Sequence, residues 1–188
     1  MSVSDRTRWL GLAVLSVGVA MIIVDATIVN VALPSIIREF DLTLADAEWI
    51  NSIYSLVFAA LLITLGKVGD MYGRRRLFMV GLVIFVGASM LAGRSSDGSW
   101  LIFARLLQGV GAAVILPATL STVNATFQGK ERGIAFGVWG SVIGGMAALG
   151  PLLGGWLTTE HSWRWAFYIN VPIGALALIG AILWVRET

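Results

Sequence analysis

Gly66-Lys67-Val68-Gly69-Asp70-Met71-Tyr72-Gly73-Arg74-Arg75-Arg76 is a short charged run set between two long apolar ones. Upstream, Trp49 to Leu65 carries no charge, and downstream Leu77 to Ala92 carries none. A helix needs about 20 consecutive apolar residues to cross a hydrocarbon core roughly 30 Å thick. The run therefore reads as a tight turn joining two membrane-crossing helices at one face of a bilayer. Gly66 and Gly73 admit close backbone approach and positive φ, and Asp70 and Arg74 stand four apart, within reach across one helical turn. The plainest reading of its basic residues is a loop that only fixes topology.

The pattern extends over the whole chain. Hydrophobic residues make up 57% of the 188 residues and charged residues 13%, and the mean hydropathy is +0.86, outside the range of soluble domains. Six apolar spans are expected, roughly 10–37, 48–66, 77–94, 99–123, 133–158 and 165–185, which leaves almost nothing for a soluble domain. The fold class is thus all-α integral membrane, one six-helix domain over residues 1–188. The first span is too long for a cleaved signal peptide and contains Asp25, so it reads as a retained helix. The chain has no cysteine, hence no disulfide or cysteine-ligated metal, and its single histidine, His161, is assigned no role.

Basic residues set the expected orientation. With the N-terminus inside, nine fall on the inner side (Arg6, Arg8, Lys67, Arg74, Arg75, Arg76, Lys130, Arg132, Arg186) against three outside, Arg38, Arg94 and Arg164. The expected location is a cell membrane, multi-pass, with a cytoplasmic N-terminus. The net charge of +2 then reports topology rather than nucleic-acid binding.

Two charges fall inside apolar spans. Asp25 lies in Met21-Ile22-Ile23-Val24-Asp25-Ala26-Thr27-Ile28-Val29-Asn30-Val31-Ala32-Leu33-Pro34. An acid at such depth costs about 2.5–3.5 kcal/mol on insertion scales, so it faces protein or water and is by default functional; the alternative is a permanent structural ion pair. Pro34 cannot donate to the Asn30 carbonyl, so a bend is expected at the outer end of this helix. Arg105 lies in Leu101-Ile102-Phe103-Ala104-Arg105-Leu106-Leu107-Gln108-Gly109-Val110-Gly111, with Gln108 and Gly109 on the same face. Counting turns from the outer side brings Arg105 toward the depth of Asp25; a snorkelling arginine is the alternative.

These segments resemble the major facilitator superfamily. Gly66, Asp70, Gly73, Arg74 and Arg75 match its loop between helices two and three, Gly-x-Leu-Ala-Asp-Arg-x-Gly-Arg-Arg/Lys, with Met71 in place of a basic residue. The resemblance implies a conformational latch there. Asp25 to Pro34 resembles the first-helix motif of the fourteen-helix drug:proton antiporter branch, and Arg105 to Gly111 resembles the fourth-helix motif Arg-x-x-Gln-Gly-x-Gly. Gly150-Pro151-Leu152-Leu153-Gly154-Gly155 looks like the fifth-helix motif of the superfamily's antiporters, though a generic packing groove of small residues reads the same way. Gln128 to Gly133 and Ser162 to Gly174 resemble the second inner loop and the start of helix six.

The resemblance implies one half of a major facilitator fold, a six-helix bundle of two inverted three-helix repeats. Asp70-x-x-x-Arg74 and Glu160-x-x-x-Arg164 are a weak internal echo of such a repeat. The implied function is the N-terminal half of a proton-coupled multidrug efflux antiporter exporting lipophilic, often cationic compounds. Desolvation disfavours an ionised carboxylic acid and a nearby guanidinium favours it; Asp25 is expected to carry the proton and Arg105 to set when it leaves. Asp25, Asn30, Gln108 and Gly109 are the expected substrate-cavity residues. Partners would be a small-molecule substrate, protons and the lipid bilayer, with no nucleic acid, no metal and no cofactor, and the chain is read as not an enzyme.

The chain ends at Arg186-Glu187-Thr188, just beyond the sixth span, whereas alternating access needs two bodies. The expected partner is a C-terminal half or, failing that, a second copy covering a polar stripe of Asp25 and Arg105 that otherwise faces lipid. The alternatives are a truncated, non-transporting module or scaffold, or a major facilitator transporter for another small solute.

Overall fold

A computed structural model describes residues 3–187. The described residues form α1 (Val3–Phe40), α2 (Leu44–Tyr72), α3 (Arg74–Gly93), α4 (Gly98–Thr126), α5 (Gly129–Glu160), a single turn α6 (Trp165–Tyr168) and α7 (Asn170–Trp184), with no strand among them. Among the described residues six spans are long and apolar enough to cross a membrane, α6 and α7 together making the sixth.

The helices overrun the apolar windows because their polar ends are capped. Thr43 and Asp46 form a reciprocal capping box that starts α2, and Asp97 caps α4 by accepting from the Trp100 N–H at 2.9 Å. The charged run expected to be a turn is mostly helix: Gly66–Tyr72 completes α2 and Arg74–Arg76 begins α3. Gly73 alone breaks the ladder, at φ +103°, a conformation L side chains rarely adopt. α1 stays helical through Pro34 to Phe40. The sixth span is interrupted at Ile169, and Pro172 gives the reason: it has no N–H to offer the Tyr168 carbonyl, yet fits the first turn of α7.

Packing follows the two-triplet plan. α4 lies against α2 and α3, while α1 lies against α5 and α7, so exchanging the triplets maps one set of contacts onto the other. Glycines set the closest approaches: a Cβ on Gly109 would stand 2.8 Å from the Tyr54 carbonyl of α2, and one on Gly111 2.9 Å from the Phe85 nitrogen of α3. Gly150 and Gly154 do the same for α5 on α1, against Thr27 and Ile28. The charge echo is not part of this symmetry. Asp70 and Arg74 pair at 2.9 Å within their own turn, but Arg164 turns to Glu39 at 2.7 Å.

The interior divides into two apolar clusters. One, toward the end carrying Arg8, Arg74 and Arg75, gathers Leu12, Leu15, Phe78, Leu82, Phe85 and Ile115; the other gathers Ile28, Ile36, Ile50, Leu101, Trp163 and Phe167. On each of α1, α3, α4 and the sixth span the crossover falls at a buried polar residue: Asp25, Ser89, Arg105 with Gln108, and Asn170. α1 and α4 are the mostly buried spans, whereas α2 and α5 leave one side almost uncovered.

Candidate functional site

The polar residues between the two clusters make one closed network. Arg105 Nη1 donates to Asp25 Oδ2 at 2.5 Å and to Gln108 Oε1 at 2.8 Å, and its Nε donates to the Ile50 carbonyl at 3.2 Å. The guanidinium carbon lies 4.2 Å from the centroid of the Tyr54 ring, a cation–π distance. Asp25 Oδ1 accepts from Gln108 Nε2 at 3.2 Å and from Asn170 Nδ2 at 3.0 Å. The same two amides donate to Ser89 Oγ, at 2.9 and 3.2 Å, and the Ser89 hydroxyl donates a hydrogen bond to the Phe85 carbonyl at 2.8 Å. Asp25, Ser89, Gln108 and Asn170 are 0% exposed and Arg105 is 1% exposed, so the site is sealed within the six helices.

That burial corrects one expectation. The stripe of Asp25 and Arg105 does not face lipid or a second body; it is turned inward and satisfied by the Ile50 carbonyl of α2, Gln108 of α4 and Asn170 of α7. A carboxylate and a guanidinium both carry more hydrogen-bonding sites than one ion pair fills, and in hydrocarbon the unfilled ones are costly. The amides of Gln108 and Asn170 and the Ile50 carbonyl fill them here.

The residues expected to line a cavity separate. Asp25 and Gln108 belong to the sealed network, and Gly109 is a packing position against α2. Asn30 alone is on the open side, where its Oδ1 accepts from Asn51 Nδ2 at 2.6 Å while its own amide donates to the Ala26 carbonyl at 3.1 Å. Beside it Trp49, Asn51, Ser52, Ser55 and Leu56 line a shallow recess of α2.

At the basic end, Arg74 Nε and Nη2 hold Asp70 Oδ1 at 3.0 and 2.9 Å, and Nη1 reaches the Ser121 carbonyl of α4 at 3.2 Å. Arg75 donates to the Ala181 and Ile182 carbonyls at 3.2 and 2.8 Å, placing a cation on the C-terminal end of α7. Its backbone N–H donates to Glu187 at 3.1 Å, so the start of α3 and the end of α7 hold each other reciprocally. Gly66 needs no special closeness, since a Cβ there would meet Pro117 at an ordinary 3.5 Å. In the fifth-helix motif Gly150 and Gly154 are contact positions, Pro151 lies within the continuous helix α5, and Gly155 faces open space.

Several residues that nothing local in the sequence marks as functional belong to these networks. Ser89 and Asn170 complete the central one. Glu39, Trp163 and Arg164 tie the far ends of three helices: Trp163 Nε1 and Arg164 Nη2 donate to the two Glu39 oxygens at 2.6 and 2.7 Å, and Arg164 Nη1 donates to the Gly93 and Ser95 carbonyls at 3.0 and 2.7 Å.

Comparison with known proteins places this geometry. A family model described as Major Facilitator Superfamily matches residues 15–188. Over 184 residues the chain is 45% identical to the puromycin resistance protein of Streptomyces alboniger, covering 97% of this chain and 37% of that protein. It is 38% identical to the tetracenomycin C resistance and export protein of Streptomyces glaucescens, covering 93% of this chain and 32% of that one. The fold is similar to that of a bacterial homolog of the human lysosomal transporter Spinster in an inward-facing, unoccupied conformation, with a TM-score of 0.78, 21% identity, and coverage of 96% of this chain and 43% of the other. The chain thus spans about a third of the length of the two resistance proteins it matches, at 37% and 32%.

Proposed function

This chain belongs to the Major Facilitator Superfamily, and from that premise we propose that it forms the N-terminal six-helix half of a proton-coupled exporter of lipophilic, often cationic compounds. Relatives named for drug resistance and export support the export reading. The single observation that carries the coupling is the sealed Asp25–Arg105 pair at mid-span. An ionisable pair at that depth is costly unless used, and of its two members only the carboxylic acid can exchange a proton, since the guanidinium stays charged.

Asp25 holds the proton, Arg105 balances the charge of its ionised form, and Gln108 and the Ile50 carbonyl keep the guanidinium in register. Substrate contact falls to Asn30 and its partner Asn51 on the open side, with Asp25 and Gln108 directly behind them in the sealed network; Gly109 serves by letting α2 close on α4. The open sides of α2 and α5 receive a second six-helix body, against which this half rocks. Gly66, Asp70, Gly73, Arg74 and Arg75 act as the latch between the two bodies at the basic end, and Gly150, Pro151, Gly154 and Gly155 shape the interface of α5. The nine-to-three distribution of basic residues supports a cytoplasmic N-terminus in a cell membrane. The protein moves a small molecule across the bilayer and does not transform it.

The test is transport by the full-length protein in proteoliposomes. An imposed pH gradient is expected to drive accumulation of a lipophilic cation such as tetraphenylphosphonium, and dissipating the gradient with an ionophore to abolish it. Accumulation that ignores the gradient would overturn proton coupling.

A further inference from the structure

Among the donors around Asp25, the Asn170 amide is the only one whose own acceptor is unused. Asn170 Oδ1 is buried and has no hydrogen-bond partner, while its Nδ2 donates to Asp25 and to Ser89. An unsatisfied carbonyl in a dry interior is normally avoided, and each such group asks for an explanation.

Protonation of Asp25 supplies one. As an ionised carboxylate, Asp25 accepts from three donors and gives none. A proton arriving from the aqueous phase turns one oxygen into an O–H, which needs an acceptor inside the sealed site. The acceptors already in the network are engaged, and the Tyr54 hydroxyl, though buried without a partner, makes no hydrogen bond to Asp25. Ser89 Oγ already takes two amide protons, and Gln108 Oε1 is held by Arg105. Asn170 Oδ1 is free, and it sits on the same planar amide whose Nδ2 lies 3.0 Å from the carboxyl. A half-turn about the terminal bond of the side chain exchanges the two atoms, and such terminal torsions are broad and roughly two-fold.

We propose that Asn170 is a proton-sensing positioning residue, whose amide donates to Asp25 when the acid is ionised and turns over to accept from it when the acid is protonated. The inference rests on Asp25 being the proton carrier. No bond other than the O–H of Asp25 is made or broken, and the positive charge left on Arg105 keeps the Ile50 carbonyl, Gln108 Oε1 and the face of Tyr54. The titratable and charged groups facing Asp25 are Arg105 from α4 and Tyr54 from α2; α3 and α7 contribute the neutral Ser89 and Asn170, and α5 approaches this stretch of α1 through Gly150 at Thr27. Because Asn170 follows the break at Ile169, a rearranged amide also acts directly on the joint between α6 and α7.

Infrared difference spectroscopy of the full-length protein between acid and neutral pH reads both halves of this claim. The protonated-carboxyl C=O band of Asp25, identified by its loss in Asp25→Asn, is expected to move upward in Asn170→Leu, as a carboxylic acid deprived of its acceptor does, and to stay near the parent position in Asn170→Gln. In unsubstituted protein carrying 13C-labelled asparagine, a side-chain amide band is expected to change on acidification and to be silent in Asp25→Asn, which keeps the test independent of whether Asn170→Leu folds. Absence of any carboxyl band sensitive to Asp25→Asn sinks the proton-carrier reading itself. A band that is present but indifferent to Asn170→Leu, or an asparagine signal that never changes, overturns the amide switch and leaves Asp25 as carrier.

Discussion

Replacing Arg105 by methionine removes one side of the sealed pair and leaves Asp25 with two amide donors only. The guanidinium holds Asp25 at 2.5 Å, Gln108 at 2.8 Å and the Ile50 carbonyl at 3.2 Å, all buried. Breaking a buried ion pair from one side costs about 3–5 kcal/mol, because the surviving charge stays in a low-dielectric site. The stacked face of Tyr54 contributes about 0.5–2 kcal/mol to the same total. Removing both charges is a different matter: Asp25→Asn with Arg105→Met leaves no ion to compensate and is expected to recover most of the loss. The assay is a double-mutant cycle on unfolding of the full-length protein in detergent, with Arg105→Lys as a third variant of intermediate stability, since a point charge cannot span three acceptors. The predicted coupling is well above the 0.3–0.5 kcal/mol, roughly, within which independent sites add. Additive single effects would refute the claim that these two charges stabilise each other.

Gly150→Ala is expected to destabilise the protein by about 1–3 kcal/mol, the usual cost of overpacking, because its Cβ would overlap Thr27 of α1; thermal unfolding should show partial recovery when Thr27→Ala is added. Glu39→Ala removes the shared acceptor of Trp163 and Arg164; the partly exposed pair makes the stability loss small, about 0.2–1 kcal/mol, but hydrogen exchange over 163–168 should accelerate while exchange at the basic end stays unchanged. Asp70→Asn frees Arg74 from its own turn and is expected to shift the populations of the two end-states of the full-length transporter, read as altered spin-label distances between the basic ends of its two halves; identical distance distributions would reduce the segment to a topology signal.

Depth and charge were legible in the sequence; the facing of helices was not. An apolar span announces its length directly, and counting turns inward from its ends brings Asp25 and Arg105 to a common level. Which side each helix turns to its neighbours left little trace, because lipid-facing and core-facing positions are both apolar and such helices are hydrophobic all round. Hence the stripe expected to face outward proved to be the centre of the half. Ser89 and Asn170 were invisible for a related reason: single polar residues in apolar spans commonly satisfy themselves on their own backbone, and only the fold brings Asn170 to Asp25, 145 positions away, and Ser89 to the two amides that hold Asp25. The pairing of Arg164 with Glu39, separated by 125 positions, was hidden by an acid four residues before Arg164 that offered a local alternative. The turn at Gly66–Arg76 is shorter than its charges suggest, because a helix carries polar residues past the apolar boundary until a residue such as Gly73 stops it.

Substrate-induced proton release tests the central claim most directly. The full-length protein and its Asp25→Asn variant, each in weakly buffered detergent solution, receive a saturating lipophilic cation while a pH indicator records protons released. The account predicts release from the parent and none from Asp25→Asn, with the variant still inserted and folded because the amide keeps the size of the acid. Equal release from both proteins would contradict it, and would move the coupling proton to a site outside these six helices or to another residue within them.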